Sequence, residues 1–198
     1  MFKIIDNFYK NPDQIRDFAL NCKYKKPVST KWKGLRSVEK HPETKPTLYQ
    51  IAKYLQLEGK PDWNQIEISD NFWQRASVGL FTTLYDGQED NIHFHYFTGR
   101  WSGVCYLSPP ELCKGKIALS FYRHLTRNIE TAQYLDKNEL QEIKKETADP
   151  NLWMTTHEID MKYNRMVVFD GQYFHKACNG FGSSPDNCRL TQLFGFNM

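Results

Sequence analysis

The chain has 198 residues, with 26 Lys and Arg against 23 Asp and Glu, for a formal net charge of +3. That length suits one domain with one sizeable core, and so small an excess leaves no electrostatic footprint for nucleic acid or an anionic membrane. Aromatic residues make up 15% of the chain, which fits a sheet-rich fold with a lined cavity better than a helical bundle.

No apolar run approaches the ~18 residues that would cross a bilayer. Cysteines stand at 22, 105, 113, 178 and 188, an odd number with no CxxC spacing, and Met1–Ile4 does not open a leader pattern. Reduced thiols in a cytoplasmic protein are the expectation.

Asn11 is placed to cap a helix with Pro12 at its first position, and Ile15, Phe18, Ala19 and Cys22 recur at helical spacing. Lys23 to Lys40 is basic and turn-rich and reads as a solvated loop. A second helix opens at Pro46 or Thr47, with Leu48, Ile51, Ala52 and Leu55 on one face, and stops around Gly59-Lys60-Pro61. The two helices are predicted to flank one outer face of an antiparallel sheet.

From Phe72 the period drops to two. Arg75 to Tyr85 alternates and ends at the turn pair Asp86-Gly87, and Asn91 to Leu107 carries two histidines, a Gly-Arg turn signal and an apolar strand. Lys116 to His124 is a further strand, with Ile117, Leu119 and Phe121 on one side and Ser120, Tyr122 and His124 on the other. Thr126 to Pro150 is charged and helix-prone around Asn138 to Glu146, an insertion that is either an inert surface helix or a lid.

Strand character returns at Asn164 to Phe169, turns at Asp170-Gly171, resumes through Gln172 to Ala177 and ends with Arg189 to Phe196. Short strands without βαβ alternation indicate a sandwich or barrel. The expected organisation is a single domain over 1–198: helical support over 1–71 and a β core over 72–196, with a helical insertion at about 126–160.

His93 and His95 stand two apart, so on an extended chain they share one face, with Phe94 and Tyr96 opposite. Two imidazoles make a metal fork or a hydrogen-bonded surface pair, and a third ligand decides between them. His175, after the Asp170-Gly171 turn, is the candidate. Three imidazoles would occupy one face of a metal and leave positions open.

Arg189 shares its strand face with Thr191, while Leu190 and Gln192 point the other way. An inward guanidinium needs an anion, and a ligand carboxylate steadied by Thr191 would serve; an outward Arg189 paired with surface acids is the alternative. Trp101, Tyr106 and Tyr122 are candidates for the cavity wall or for plain core or rim packing, and His124 and His157 have no assigned role.

A histidine motif at a strand start, a distal histidine, and Arg-x-Thr fourteen residues after it together resemble the iron(II)- and 2-oxoglutarate-dependent oxygenases. The phrases Trp101–Pro110 (WSGVCYLSPP), Phe121–His124 (FYRH), Asn164–Gly171 (NRMVVFDG) and Arg189–Gln192 (RLTQ) resemble a small bacterial and phage-like subgroup of them. The resemblance covers Phe72 to Phe196.

It implies an α+β chain whose all-β core is a double-stranded β-helix, or jelly roll. It also implies Fe(II) held by His93 and His175, 2-oxoglutarate gripped by Arg189 with Thr191 and beside Tyr106, and molecular oxygen used to hydroxylate a small-molecule or peptide substrate. The family places an acid at position 95, where this chain has His95, so His95 is expected to be the third ligand in a site one charge unit more positive.

Iron held by three histidines also resembles the thiol dioxygenases, which use no 2-oxoglutarate but do not call for Arg189-x-Thr191. A second registration takes His95 as first ligand with Phe97 at the acid position, resembling halogenase-like variants. The non-enzymatic alternative is a jelly-roll binding protein. If the ligands are ordinary imidazoles, metal affinity falls as the pH drops through ~6.5.

Overall fold

The period-two segments form two antiparallel sheets that face each other. The computed structural model describes residues 2–27, 33–56, 78–95 and 100–196. The large sheet runs, edge to edge, β1 (Phe2–Ile5), β8 (Arg165–Asp170), β5 (Trp101–Tyr106), β10 (Arg189–Phe196), β4 (Leu80–Leu84), β3 (Leu35–Lys40) and β2 (Tyr24–Lys25). The small sheet runs β7 (Trp153–Asp160), β6 (Ile117–His124) and β9 (His175–Ala177).

Beyond β9, His93 and His175 form an isolated antiparallel bridge. Followed along the chain, β4, the His93 bridge, β5, β6 with β7, β8, β9 and β10 pass from one sheet to the other and back. That winding is jelly-roll-like.

Register decides what each face meets. Thr191 pairs with Thr82 on one side and Tyr106 on the other, so these side chains share the inner face with Arg189 and Leu193. There Tyr106, Val167 and Phe169 pack against Leu119, Phe121 and Ile159 of the small sheet. The outer face of the large sheet, with Phe81, Met166, Leu190, Phe194 and Phe196, packs against α1 (Pro12–Asn21) and α2 (Thr44–Tyr54) through Ile15, Ala19, Leu48 and Ile51.

Each such buried side chain contributes roughly 1.5–3 kcal/mol, so two such layers can hold without covalent staples. All five cysteines are free. Among the described residues no helix is long and apolar enough to cross a membrane.

The structure departs from the pattern reading in the N-terminal region. Lys23 to Lys40 is not a loop throughout: it supplies β2 and β3, and β3 pairs Arg36 with Thr82. Asn11 precedes α1 without capping it through its side chain. Residues 57–77, including the expected helix stop at Gly59-Lys60-Pro61 and the start of the Arg75 to Tyr85 strand, lie outside the described residues.

A short helix, α3 (Pro110–Cys113), lies between β5 and β6, and the insertion between β6 and β7 carries α4 (Lys137–Glu146). Asp136 and Glu139 close a capping box at the N-terminus of α4, and Leu140 and Ile143 are buried with Trp153 and Phe174. His124 Nε2 lies 3.0 Å from Glu146, Arg127 bonds Glu142 and Glu146, and Trp153 Nε1 donates to the Glu146 carbonyl at 3.0 Å. These contacts fasten the helix to the small sheet, and strand structure is already restored at Trp153.

Candidate metal centre

His93, His95 and His175 converge, with one ligand atom from each lying within 4.8 Å of the others. The bridge explains two of the three. His93 N–H donates to the His175 carbonyl and His175 N–H to the His93 carbonyl, both at 2.9 Å, and in such a hydrogen-bonded pair both side chains stand on the same face. The rings of His93 and His175 come to 4.3 Å between centroids.

His95 joins from beyond the bridge, where the chain is extended but not in a ladder; its N–H donates to the Gly171 carbonyl at 2.7 Å. The fork therefore rests on a two-residue bridge and the Asp170-Gly171 turn, not on a long strand. A Cβ at Gly171 would lie 2.9 Å from His95 Nδ1 and 3.0 Å from Ser102 Oγ, so the absence of a side chain there makes room for the ring. Arg100 donates to Asp170 at 2.9 Å behind the turn.

Each ring is oriented through Nδ1. His93 Nδ1 lies 2.8 Å from the Asn91 carbonyl, and His175 Nδ1 lies 2.7 Å from the Tyr173 carbonyl. A carbonyl only accepts, so both rings carry their proton on Nδ1 and leave the Nε2 lone pair for a cation. His95 Nδ1 meets the Ser102 hydroxyl at 2.7 Å, which permits the same tautomer.

Burial and the two neighbouring rings push His175 well below the usual imidazole range. Burial, His93 and Arg36 bring His95 down to about 3. Both therefore stay neutral in mildly acid solution, and the expected loss of affinity through ~6.5 does not apply to them.

A cation about 2.1 Å from each nitrogen needs donors no more than about 4.2 Å apart. The triangle closes to that size by up to about 0.6 Å, within reach of small ring rotations. Three such imidazole nitrogens fit a divalent transition metal.

Arg189 is 3% exposed and faces inward, so the surface-pair alternative is excluded. Its Nη2 donates to the Ala118 carbonyl at 2.5 Å and its guanidinium sits 5.3 Å from the Tyr106 ring centre. Buried Nη1 and the buried Tyr106 hydroxyl have no hydrogen-bond partner among the described residues. Burial pushes the Tyr106 phenol up to about 12, against the pull of Arg189, so the phenol keeps its proton and, like Nη1, is a donor.

Thr191 Oγ is 2.7 Å from Thr82 Oγ, on the same inner face. Ala118 stands three residues along β6 from Phe121, which pairs with His175. The guanidinium thus sits roughly 10 Å along the strand from the histidine backbone.

Other candidates fall elsewhere. Trp101 packs against the helix-side core, and Tyr122 lines a groove of about 380 Å³ with Ser120, Glu158 and Lys176, on the face of the small sheet turned away from Phe121. His124 is buried against Trp153, and His157 packs edge-on to Phe2. Phe97 of the second registration lies outside the described residues.

Ser102, Arg36 and Asp90 gather round the histidines without having been singled out in the sequence. Ser102 was detectable, as a polar position alternating with Val104 and Tyr106 on one strand face. No family model and no curated protein matches the chain. Among solved structures, it is similar to a Pseudomonas putida prolyl-4-hydroxylase at 14% identity and a TM-score of 0.45, over 98% of this chain and 90% of that one.

Proposed function

We propose that the chain is a non-haem iron oxygenase that couples oxidative decarboxylation of 2-oxoglutarate to hydroxylation of a small-molecule or peptide substrate. The observation that carries this reading is a buried pair of donors, Arg189 Nη1 and Tyr106 OH, with no partner among the described residues, on the inner face of the large sheet opposite the sheet that holds His175. Leaving such donors unpaired is costly, and one carboxylate oxygen pair would satisfy both. A dicarboxylate can reach from that anchor towards the histidines.

His93, His95 and His175 would hold Fe(II), which supplies oxygen activation when bound. The chain's own residues do the positioning. Arg189 and Tyr106 would fix the far carboxylate, while Phe121 and Phe169, whose rings lie 6.3 and 4.6 Å from that of His175, would keep water from the inner side of that ring. The backbone carbonyls of Asn91 and Tyr173 hold two of the ligand rings in the binding tautomer.

A three-histidine thiol dioxygenase is the second reading, favoured by His95 at the acid position. It leaves Arg189 without a task. The two separate on succinate release: purified protein with Fe(II), oxygen and 2-oxoglutarate should form succinate slowly even without substrate. Absence of succinate, together with oxygen uptake driven by thiols, would favour the second reading.

A further inference from the structure

Among the described residues the histidine cluster contains no carboxylate, yet a buried one stands behind it. Asp90 is 8% exposed. Its Oδ1 accepts the Asn91 N–H at 2.9 Å, and its Oδ2 has no hydrogen-bond partner among the described residues. An unmet carboxylate oxygen at such depth is costly to keep, and this one lies 3.4 Å from His93 Nδ1. That nitrogen is the one bonded to the Asn91 carbonyl at 2.8 Å. Because Nε2 is across the ring, Asp90 is behind the ligand and not among the donors.

We propose that Asp90 is a positioning residue for the metal centre: when a divalent cation binds, the His93 Nδ1–H turns from the Asn91 carbonyl to Asp90 Oδ2. This rests on the metal reading given above. The carboxylate missing at position 95 then acts one bond further out, through the His93 ring.

The direction follows from charge. A cation on Nε2 draws electron density from the imidazole and makes Nδ1–H a stronger donor, which prefers an anionic acceptor to a neutral carbonyl. The hydrogen stays on Nδ1, so no proton is lost.

The distance fits as well. Shortening 3.4 Å to an ordinary hydrogen bond takes about 0.6 Å, comparable to the movement that closes the ligand triangle. Small ring movements could therefore serve both. Asp90 is also not alone in its charge, since it raises the pKa of the neighbouring Arg36 against the effect of burial.

Asp90→Asn preserves shape and removes the charge. Its Fe(II) and Zn(II) dissociation constants, measured by chelator competition, should rise about 10–100-fold. The midpoint potential of the iron-loaded protein should rise too, because the ferric state loses a stabilising negative charge. A purely structural role would leave that potential unmoved, and unchanged dissociation constants and potential would overturn the proposal.

A measurement on the parent decides the matter even if the variant does not fold. In the Zn(II)-loaded parent, the Nδ1–H proton of His93 should resonate clearly downfield of that of His175, whose acceptor remains the Tyr173 carbonyl. Equal shifts would overturn the role of Asp90. A parent that binds neither metal would refute the metal centre itself and this role with it, whereas a binding parent with an unaltered Asn variant refutes the role of Asp90 alone.

Discussion

Replacing Arg189 by Met separates a ligand anchor from a structural cation. Among the described residues the guanidinium donates to the Ala118 carbonyl, and its buried Nη1 has no partner. Removing the bond costs about 1.5–3 kcal/mol, while removing a buried, incompletely compensated charge returns an amount of the same order. Met also fills much of the volume, so stability should change by only about 1 kcal/mol. Binding should change far more: deleting one side of a buried charge pair costs about 2–5 kcal/mol, a rise of about 30- to 5000-fold in the dissociation constant for 2-oxoglutarate. Urea denaturation of the metal-free protein and anaerobic calorimetry of the Fe(II)-loaded protein measure the two halves. A variant destabilised by about 3–5 kcal/mol that binds 2-oxoglutarate like the parent would refute the reasoning, since Arg189 would then be a structural cation.

His95→Ala should lose most metal affinity, and His95→Asp should recover it as a two-histidine, one-carboxylate site; elemental analysis after matched Fe(II) loading reads both, and a full equivalent of iron in the Ala variant would remove His95 from the ligand set. Gly171→Ala should fold yet bind metal at least about 10-fold more weakly, because the new methyl would sit 2.9 Å from His95 Nδ1; parent-like affinity would show that the ring has room to spare. Three imidazoles of pKa ~6.5 would together lose about 1000-fold in metal affinity between pH 7.5 and 5.5, but His95 and His175 are held well below the usual imidazole range, so chelator competition at the two pH values should show a far smaller fall. The same depression makes the metal-free fold less stable in acid, because the unfolded chain takes up protons below ~6.5 that the folded rings refuse until far lower pH. That stability is fully present above ~6.5 and is lost progressively towards pH 3, which melting temperatures of metal-free protein would trace.

Much of the inner face was readable from period two. Arg189 and Thr191 fall on one side of β10 and Leu190 and Gln192 on the other, as their alternation requires. The convergence of His175 with the fork was foreseeable because a turn and a strand start brought a third imidazole into a β-rich chain. The support for that fork was not. His93 is held by a single bridge and His95 by the Gly171 carbonyl, contacts between segments some eighty residues apart that leave no periodic trace. β3 was missed because LRSVEK is charged and short, and it becomes a strand only where β4 offers an edge. Arg36, three residues before Glu39 in a basic, turn-rich stretch, could not be told from a surface cation. Asp90 reads as one more polar residue after the Asp86-Gly87 turn until the His93 ring is placed against it.

The central claim is that three histidines hold iron and Arg189 anchors 2-oxoglutarate beside it. Anaerobic titration of the protein with Fe(II), then with 2-oxoglutarate, tests both at once through the weak visible charge-transfer absorption of a 2-oxo acid chelated to iron. The band should appear only with both components, saturate at one equivalent of iron, be absent in His175→Ala and need far more 2-oxoglutarate in Arg189→Met. A protein that binds one equivalent of Fe(II) but develops no band at saturating 2-oxoglutarate would contradict that claim.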